Sequence, residues 1–217
     1  MATFRVCYQT IEFDDQDIHL RTLKDNNQFY DPLGEAEALG ISSAQWSLFG
    51  IAWDSGKVLA HEMNQFDFKG KRILEVGCGV GLASVLLNSL EADITATDYH
   101  PEAGSFLAEN VKLNNGKKIP FLRTDWADLS NGLGLFDVII GSDLLYEREH
   151  IALLSDFIQR HAKANCEVIL VDPGRGNHAT FSKIMVKLGY QHDQYQPDCS
   201  HFLLNTFKGQ VLRYVRS

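Results

Sequence analysis

The chain has 217 residues, enough for one domain with a short extension, and its 45% hydrophobic and 22% charged content is that of an ordinary globular protein. A formal net charge of -8 and the lack of any long basic run argue against a nucleic-acid partner. No apolar run approaches the ~18 residues of a membrane span, and Met1-Ala-Thr-Phe-Arg-Val-Cys-Tyr lacks the apolar stretch of a secretory signal.

Residues 3–13 and 16–24 alternate apolar and polar side chains around Asp14-Asp15, which predicts a hairpin. Residues 25–43 are polar and contain Asp31-Pro32-Leu33-Gly34, so a loop is expected, with a short helix at 35–39. Residues 1–44 therefore form an N-terminal extension and 45–217 the main domain. Asp54 or Ser55 is expected to cap a helix whose buried stripe is Val58, Leu59 and Met63, with Trp53 just before it.

The next stretch organises the chain. A short apolar strand, Arg72–Val76, breaks into Gly77, Gly79 and Gly81 and resumes as a helical pattern over 82–90. Such a turn brings backbone close to a ligand and aims free N–H groups at it. The dinucleotide fingerprint GxGxxG needs a third glycine at position 82, and Leu82 stands there, so a nicotinamide dehydrogenase is disfavoured. What remains is either a ligand loop or a glycine-rich turn of any α/β protein. A strand over 92–97 ends at Asp98, where a carboxylate either accepts hydrogen bonds from two ribose hydroxyls or caps the turn before Pro101.

Residues 101–115 predict a helix burying Phe106, Leu107, Val111 and Leu113, and 119–122 a short strand running into Thr124-Asp125-Trp126. Residues 136–143 read as a buried strand, 147–164 as a helix with Ile151, Leu153, Leu154, Phe157 and Ile158 inward, and 166–172 as a fifth strand. Pro173-Gly-Arg-Gly176 is a tight loop, in which Arg175 either meets a substrate carboxylate or stays solvated. A helix over 178–188 and strands at 190–195, 202–207 and 211–215 follow, the last two as an antiparallel pair broken near Lys208-Gly209. Alternating β/α units predict an α/β, doubly wound, mostly parallel sheet. Cys7, Cys78, Cys166 and Cys199 are scattered without CxxC spacing, so neither bridges nor a metal site are expected, and the reducing cytoplasm is the expected setting.

Glu75 followed by Gly77, Gly79 and Gly81 resembles the first motif of the seven-strand (class I) S-adenosylmethionine methyltransferases. Asp143-Leu-Leu-Tyr146 after the fourth strand, Asp125-Trp126 after the third and Trp53 before the first resemble the DxxY branch of that family, which includes protein-lysine methyltransferases. The resemblance covers roughly residues 45–172, and it departs at Asp54, where the branch usually carries proline. It implies a seven-stranded Rossmann-like sheet with S-adenosylmethionine as cofactor. The backbone of Gly77, Cys78, Gly79 and Gly81 would then cradle the cofactor, Glu75 would meet its ammonium group and Asp98 its ribose. Asp125 would accept from the adenine amine, with Trp126 over the ring and Ser142 among the cofactor-binding residues. Trp53 either covers the pocket or is an ordinary core tryptophan.

Asp143 would orient the acceptor amine, or else cap the following helix; Tyr146 would touch the same amine, or else pack in the core. The expected acceptor is a lysine or histidine of a protein, so a protein partner is expected. A small-molecule acceptor and a non-catalytic scaffold are the alternatives.

Overall fold

The computed structural model describes residues 4–217, so Thr3, the first residue of the predicted hairpin, lies outside the described residues. An antiparallel hairpin comes first, β1 (Val6–Phe13) and β2 (Gln16–Leu23), turning at Asp14-Asp15. The strands β3 (Arg72–Val76), β4 (Asp93–Asp98), β5 (Phe121–Arg123), β6 (Phe136–Ser142), β7 (Ala162–Asp172), β8 (Gln191–Tyr195) and β9 (Gln210–Arg216) follow. They form one seven-stranded sheet in the order β5-β4-β3-β6-β7-β9-β8. β9 runs antiparallel to both its neighbours, and the pairs from β5 to β7 are parallel. The order reverses between β4 and β6, on either side of β3, which opens a crevice at the strands' carboxyl ends.

The helices are α1 (Glu35–Ala38), α2 (Ser43–Trp46), α3 (Asp54–Asn64), α4 (Leu82–Ser89), α5 (Ala103–Leu113), α6 (Arg148–His161) and α7 (His178–Lys187), with a 3-10 turn at Ser47–Gly50. Strand periodicity sorts the sheet's side chains into two apolar layers. Ile73, Val138, Ile140, Ile169 and Val171 pack with α3, α4, α5 and the hairpin. Leu74, Ile139, Val168, Leu170 and Tyr214 pack with α6 and α7. No helix among the described residues is long and apolar enough to cross a membrane.

The hairpin joins the domain through asparagines. Asn110 accepts from the Arg21 N–H at 2.6 Å and donates to the Arg21 carbonyl at 3.2 Å. Asn114 does the same for His19, at 2.9 and 2.7 Å. Four helical residues rise about 6 Å and two strand residues span about 6.6 Å, so positions i and i+4 on α5 match i and i+2 on β2. The outer edge of β2 is thereby paired by a helix instead of another strand.

Several expectations are corrected. Trp53, not Asp54 or Ser55, is the N-cap of α3 and makes no side-chain cap bond, while Asp54 pairs with Lys57 at 3.0 Å. Leu113 and Leu153, expected inside their helices, are each 37% exposed. β7 starts at Ala162, so Cys166 lies within the strand and not at its start. Residues 202–207 form no strand: the Cys199 carbonyl accepts from the Phe202 and Leu203 N–H groups, closing a turn. Cys199, Leu203 and Phe207 are buried at a spacing of four, which alternation cannot satisfy, and β9 instead pairs with β7 and β8.

The β7–β9 junction is tight. A Cβ on Gly209 would stand 2.2 Å from the Asp172 carbonyl oxygen. Backbone cannot yield as a flexible side chain can, so Gly209→Ala is expected to lose about 1–3 kcal/mol in urea unfolding.

Candidate active site

The crevice is floored by the glycine loop between β3 and α4. Gly77, Gly79 and Gly81 have φ of 64°, 55° and 77°, the left-handed region that favours glycine. At Gly79 the requirement is also spatial, because a Cβ there would lie 2.8 Å from the Phe49 carbonyl oxygen. Backbone thus passes over backbone, and the loop is pinned by the Cys78 N–H donating to Thr97 at 3.0 Å.

Asp98, at the tip of β4, accepts from the Gly79 N–H through Oδ2 and from the His100 N–H through Oδ1, each at 2.8 Å. Burial pushes its carboxyl up, and these bonds and one from the Tyr99 backbone oppose that. A carboxylate offers about four acceptor positions, and these three backbone donors leave one, which suits a ribose hydroxyl.

Glu75 is turned elsewhere. Its Oε2 accepts from the Ser84 N–H at 2.9 Å and from the Ser84 hydroxyl. It therefore satisfies a buried N–H in the first turn of α4, which is a role the expectation of an ammonium partner did not include. Burial pushes its carboxyl up to about 7 against the Ser84 bonds, with Asp98 adding to the rise.

The far wall holds the end of β6. Asp143 has φ of 53° and donates its N–H to the Val171 carbonyl at 2.9 Å. It does not cap α6, whose N-cap is Glu147. Its carboxylate is forked by Arg175, Nε to Oδ1 at 2.5 Å and Nη2 to Oδ2 at 2.7 Å. Arg175 is thus an ion-pair partner within the protein, half-exposed to solvent, with its guanidinium engaged by Asp143. Tyr146 is 46% exposed and so not packed in the core. Partial burial and the charges of Glu147, Asp98 and Asp143 push its phenol up to about 12, with Arg175 opposing. Asp98 and Asp143 stand at the carboxyl ends of β4 and β6, on either side of β3.

The remaining expected residues frame the opening. The Trp53 indole N–H donates to the Leu48 carbonyl at 2.9 Å, which ties it to the segment passing over Gly79. Ser142 lies beside the start of α3, its Oγ 3.6 Å from where a Gly56 Cβ would be. Asp125 is exposed and accepts from the Ala127 N–H at 2.8 Å, and its charge acts on the Tyr99 phenol. Trp126 and Tyr146 both meet His150 edge-on, at 5.4 and 5.0 Å.

Three participants carry no sequence signal of their own: Ser84, His100 and the 3-10 turn. His100 is stacked on Phe49 at 3.8 Å and edge-on to Trp46 at 5.6 Å, and burial lowers its imidazole to about 3 despite Asp31. The Tyr99 hydroxyl donates to the Leu39 carbonyl at 2.7 Å, fastening the end of α1 beside Asp98.

Comparison with known proteins agrees with this architecture. A family described as lysine methyltransferase matches residues 39–186. The chain is 32% identical over 139 residues to protein N-lysine methyltransferase METTL21A of Danio rerio, covering 59% of this chain and 63% of that one. It is 27% identical over 168 residues to the electron transfer flavoprotein beta subunit lysine methyltransferase of Xenopus laevis, covering 76% of this chain and 65% of that one. The chain thus spans a little under two thirds of the length of these two relatives. Among solved structures, magnesium protoporphyrin IX methyltransferase from Synechocystis PCC 6803 with bound SAM shares the fold, with a TM-score of 0.58 and 23% identity over 74% of this chain and 76% of that chain.

The buried Glu75 carboxyl sets a pH dependence. Between an ordinary pKa of 4.5 and about 7, the unfolded chain ionises this group while the folded protein keeps its proton. Folded stability is therefore lost as pH rises through that window. Relative to Glu75→Gln, the wild type is expected to lose about 3 kcal/mol from pH 4.5 to 8 in urea unfolding. Parallel stability curves for the two proteins would contradict this.

Proposed function

The chain belongs to the lysine methyltransferase family, and on that footing we propose that it transfers a methyl group from S-adenosylmethionine to a lysine side chain of a protein. The relatives from Danio rerio and Xenopus laevis are named as lysine methyltransferases of proteins, which supports a protein acceptor. The observation that carries the reading is the placement of Asp98 and Asp143 at the carboxyl ends of β4 and β6, the two strands that flank β3 and its glycine loop. One carboxylate belongs to the glycine-loop side, the other to the open side.

When bound, S-adenosylmethionine supplies an activated sulfonium methyl, so the protein needs only to position and desolvate. Asp98 takes a ribose hydroxyl with its remaining acceptor position. The glycine loop from Gly77 through Cys78 and Gly79 to Gly81 gives a floor without side-chain obstruction. Asp125 and Trp126 serve the adenine edge and face, and Trp53 and Ser142 close the side next to α3. Glu75 supports this floor by holding α4 through Ser84.

On the acceptor side, a lysine amine has an ordinary pKa of ~10.4 and must lose a proton before it can attack. Asp143 receives the amine's N–H groups and aims its lone pair. Its left-handed backbone costs on the order of 1 kcal/mol and holds the carboxylate at the mouth of the crevice. Tyr146, with its phenol kept protonated at neutral pH, hydrogen-bonds the amine from the other side. Cys7, Cys78, Cys166 and Cys199 are free thiols, which suits a reducing compartment such as the cytoplasm.

Calorimetric titration with S-adenosylmethionine and its demethylated product tests the cofactor half. Asp98→Ala is expected to weaken both ligands by roughly tenfold or more, since hydrogen bonds to charged groups carry about 1.5–3 kcal/mol each. No saturable binding to the wild type would remove the proposal.

Labelled methyl transfer to a lysate split into protein and small-molecule fractions tests the acceptor half. Label is expected in protein, at lysine; label confined to metabolites would replace this reading with a small-molecule one. Asp143→Ala is expected to lower turnover on the labelled protein about a hundredfold, the scale of a lost positioning group, while cofactor affinity stays unchanged.

A further inference from the structure

Arg175 occupies both oxygens of Asp143, the atoms that an acceptor amine would use. The Asp143 side chain is 16% exposed and that of Arg175 48%, so the pair sits at the mouth of the crevice with the guanidinium on the outer side. A guanidinium and a lysine ammonium are both cations rich in N–H donors, so each satisfies the same carboxylate. We propose that Arg175 fills the acceptor-amine subsite in the free protein, and that a substrate lysine enters by displacing its guanidinium from Asp143. The proposal rests on the reading of Asp143 given above.

Two further features give the displaced side chain freedom and a destination. Arg175 is flanked by Gly174 and Gly176, with φ of 98° and 85°, so the loop can reorient without strain at either neighbour. Asp172, at the end of β7, is 2% exposed, and its Oδ1 has no hydrogen-bond partner. Its Oδ2 accepts from the Gly174 N–H at 2.9 Å and lies 3.6 Å from His178 Nδ1, which is also unpartnered. A buried carboxylate oxygen left unpaired is costly. The Asp172 charge already acts on Arg175. Arg175 therefore stands between two carboxylates, paired with Asp143 and able to move toward Asp172 when an amine takes its place.

The subsite consequently selects for a cation that can outcompete a half-exposed ion pair. Such exposed pairs contribute little individually, so the latch is weak enough for a substrate lysine to open.

The test uses the full chain saturated with adenosylhomocysteine, and N-acetyl-lysine-N-methylamide as the amine probe, with binding read by NMR titration. Arg175→Ala is expected to bind the probe about fivefold more tightly than the wild type, the factor matching removal of one exposed ion pair. Ethylguanidine, standing in for the missing side chain, is expected to compete with the probe in R175A more strongly than in the wild type. Asp172→Asn is expected to weaken probe binding and leave adenosylhomocysteine affinity unchanged, a split that general loosening of the fold would not produce.

Probe affinity unchanged or reduced in R175A, or no probe binding to either protein, overturns the proposal. Failure of the wild type to bind S-adenosylmethionine or its product would remove the parent reading, and this inference with it.

Discussion

The Asp98 carboxylate is the contact on which the crevice depends. It holds the Gly79 N–H with one oxygen and the His100 N–H with the other. The first bond ties the glycine loop to the tip of β4. The second turns the chain so that His100 stacks on Phe49. Phe49 in turn lays its carbonyl over Gly79, at a distance no Cβ would permit. Carboxylate, imidazole, aromatic ring and glycine form a closed circuit of contacts, with the open face of the loop left toward the crevice. The elements before β3 are therefore part of the site's construction and do more than decorate the sheet.

A second chain of contacts reaches the same loop from the hairpin. Asn110 of α5 joins Arg21 of β2 and also donates to the Val80 carbonyl at 2.8 Å. One amide thus links the N-terminal strands, the helix after β4 and the glycine loop. Being fully buried, it must find partners for its donors, and those partners are the Arg21 carbonyl in β2 and the Val80 carbonyl in the glycine loop. Glu75 does comparable work at the start of α4 through Ser84. Asn110 spends its hydrogen bonds on backbone, and Glu75 holds both the N–H and the hydroxyl of Ser84, so the two groups fix geometry at the loop.

The open side has a different character. Asp143, Tyr146 and Arg175 are partly exposed, and Asp143 is held in a left-handed conformation by its own N–H bond to Val171. Its backbone is determined by β7, while its carboxylate is held only by a side chain on a glycine-flanked loop. The glycine-loop side is fixed by backbone hydrogen bonds to Asp98, whereas the charge on the open side is held in a half-exposed ion pair.

Much of this was legible in the amino-acid order. The run from Arg72 through three alternating glycines to Leu82 dictated a strand, a left-handed loop and a helix, because L side chains rarely adopt those φ values. Continuous apolar runs over β3, β6 and β7 set the parallel sheet, and acidic residues at the end of β4 and just after β6 marked its carboxyl edge. Local periodicity carries such information since it depends only on near neighbours in the chain. It misled at 202–207, where apolar residues spaced by four face a core that sequence alone does not show.

What only the tertiary structure decided are the partners of the charged groups. Nothing in the chain order says that Glu75 turns to Ser84, that Arg175 grips Asp143 from 32 residues away, or that His100 supports Phe49. A carboxylate's partner is set by which groups converge on it in space and by how far water is excluded, and both are properties of the assembled fold.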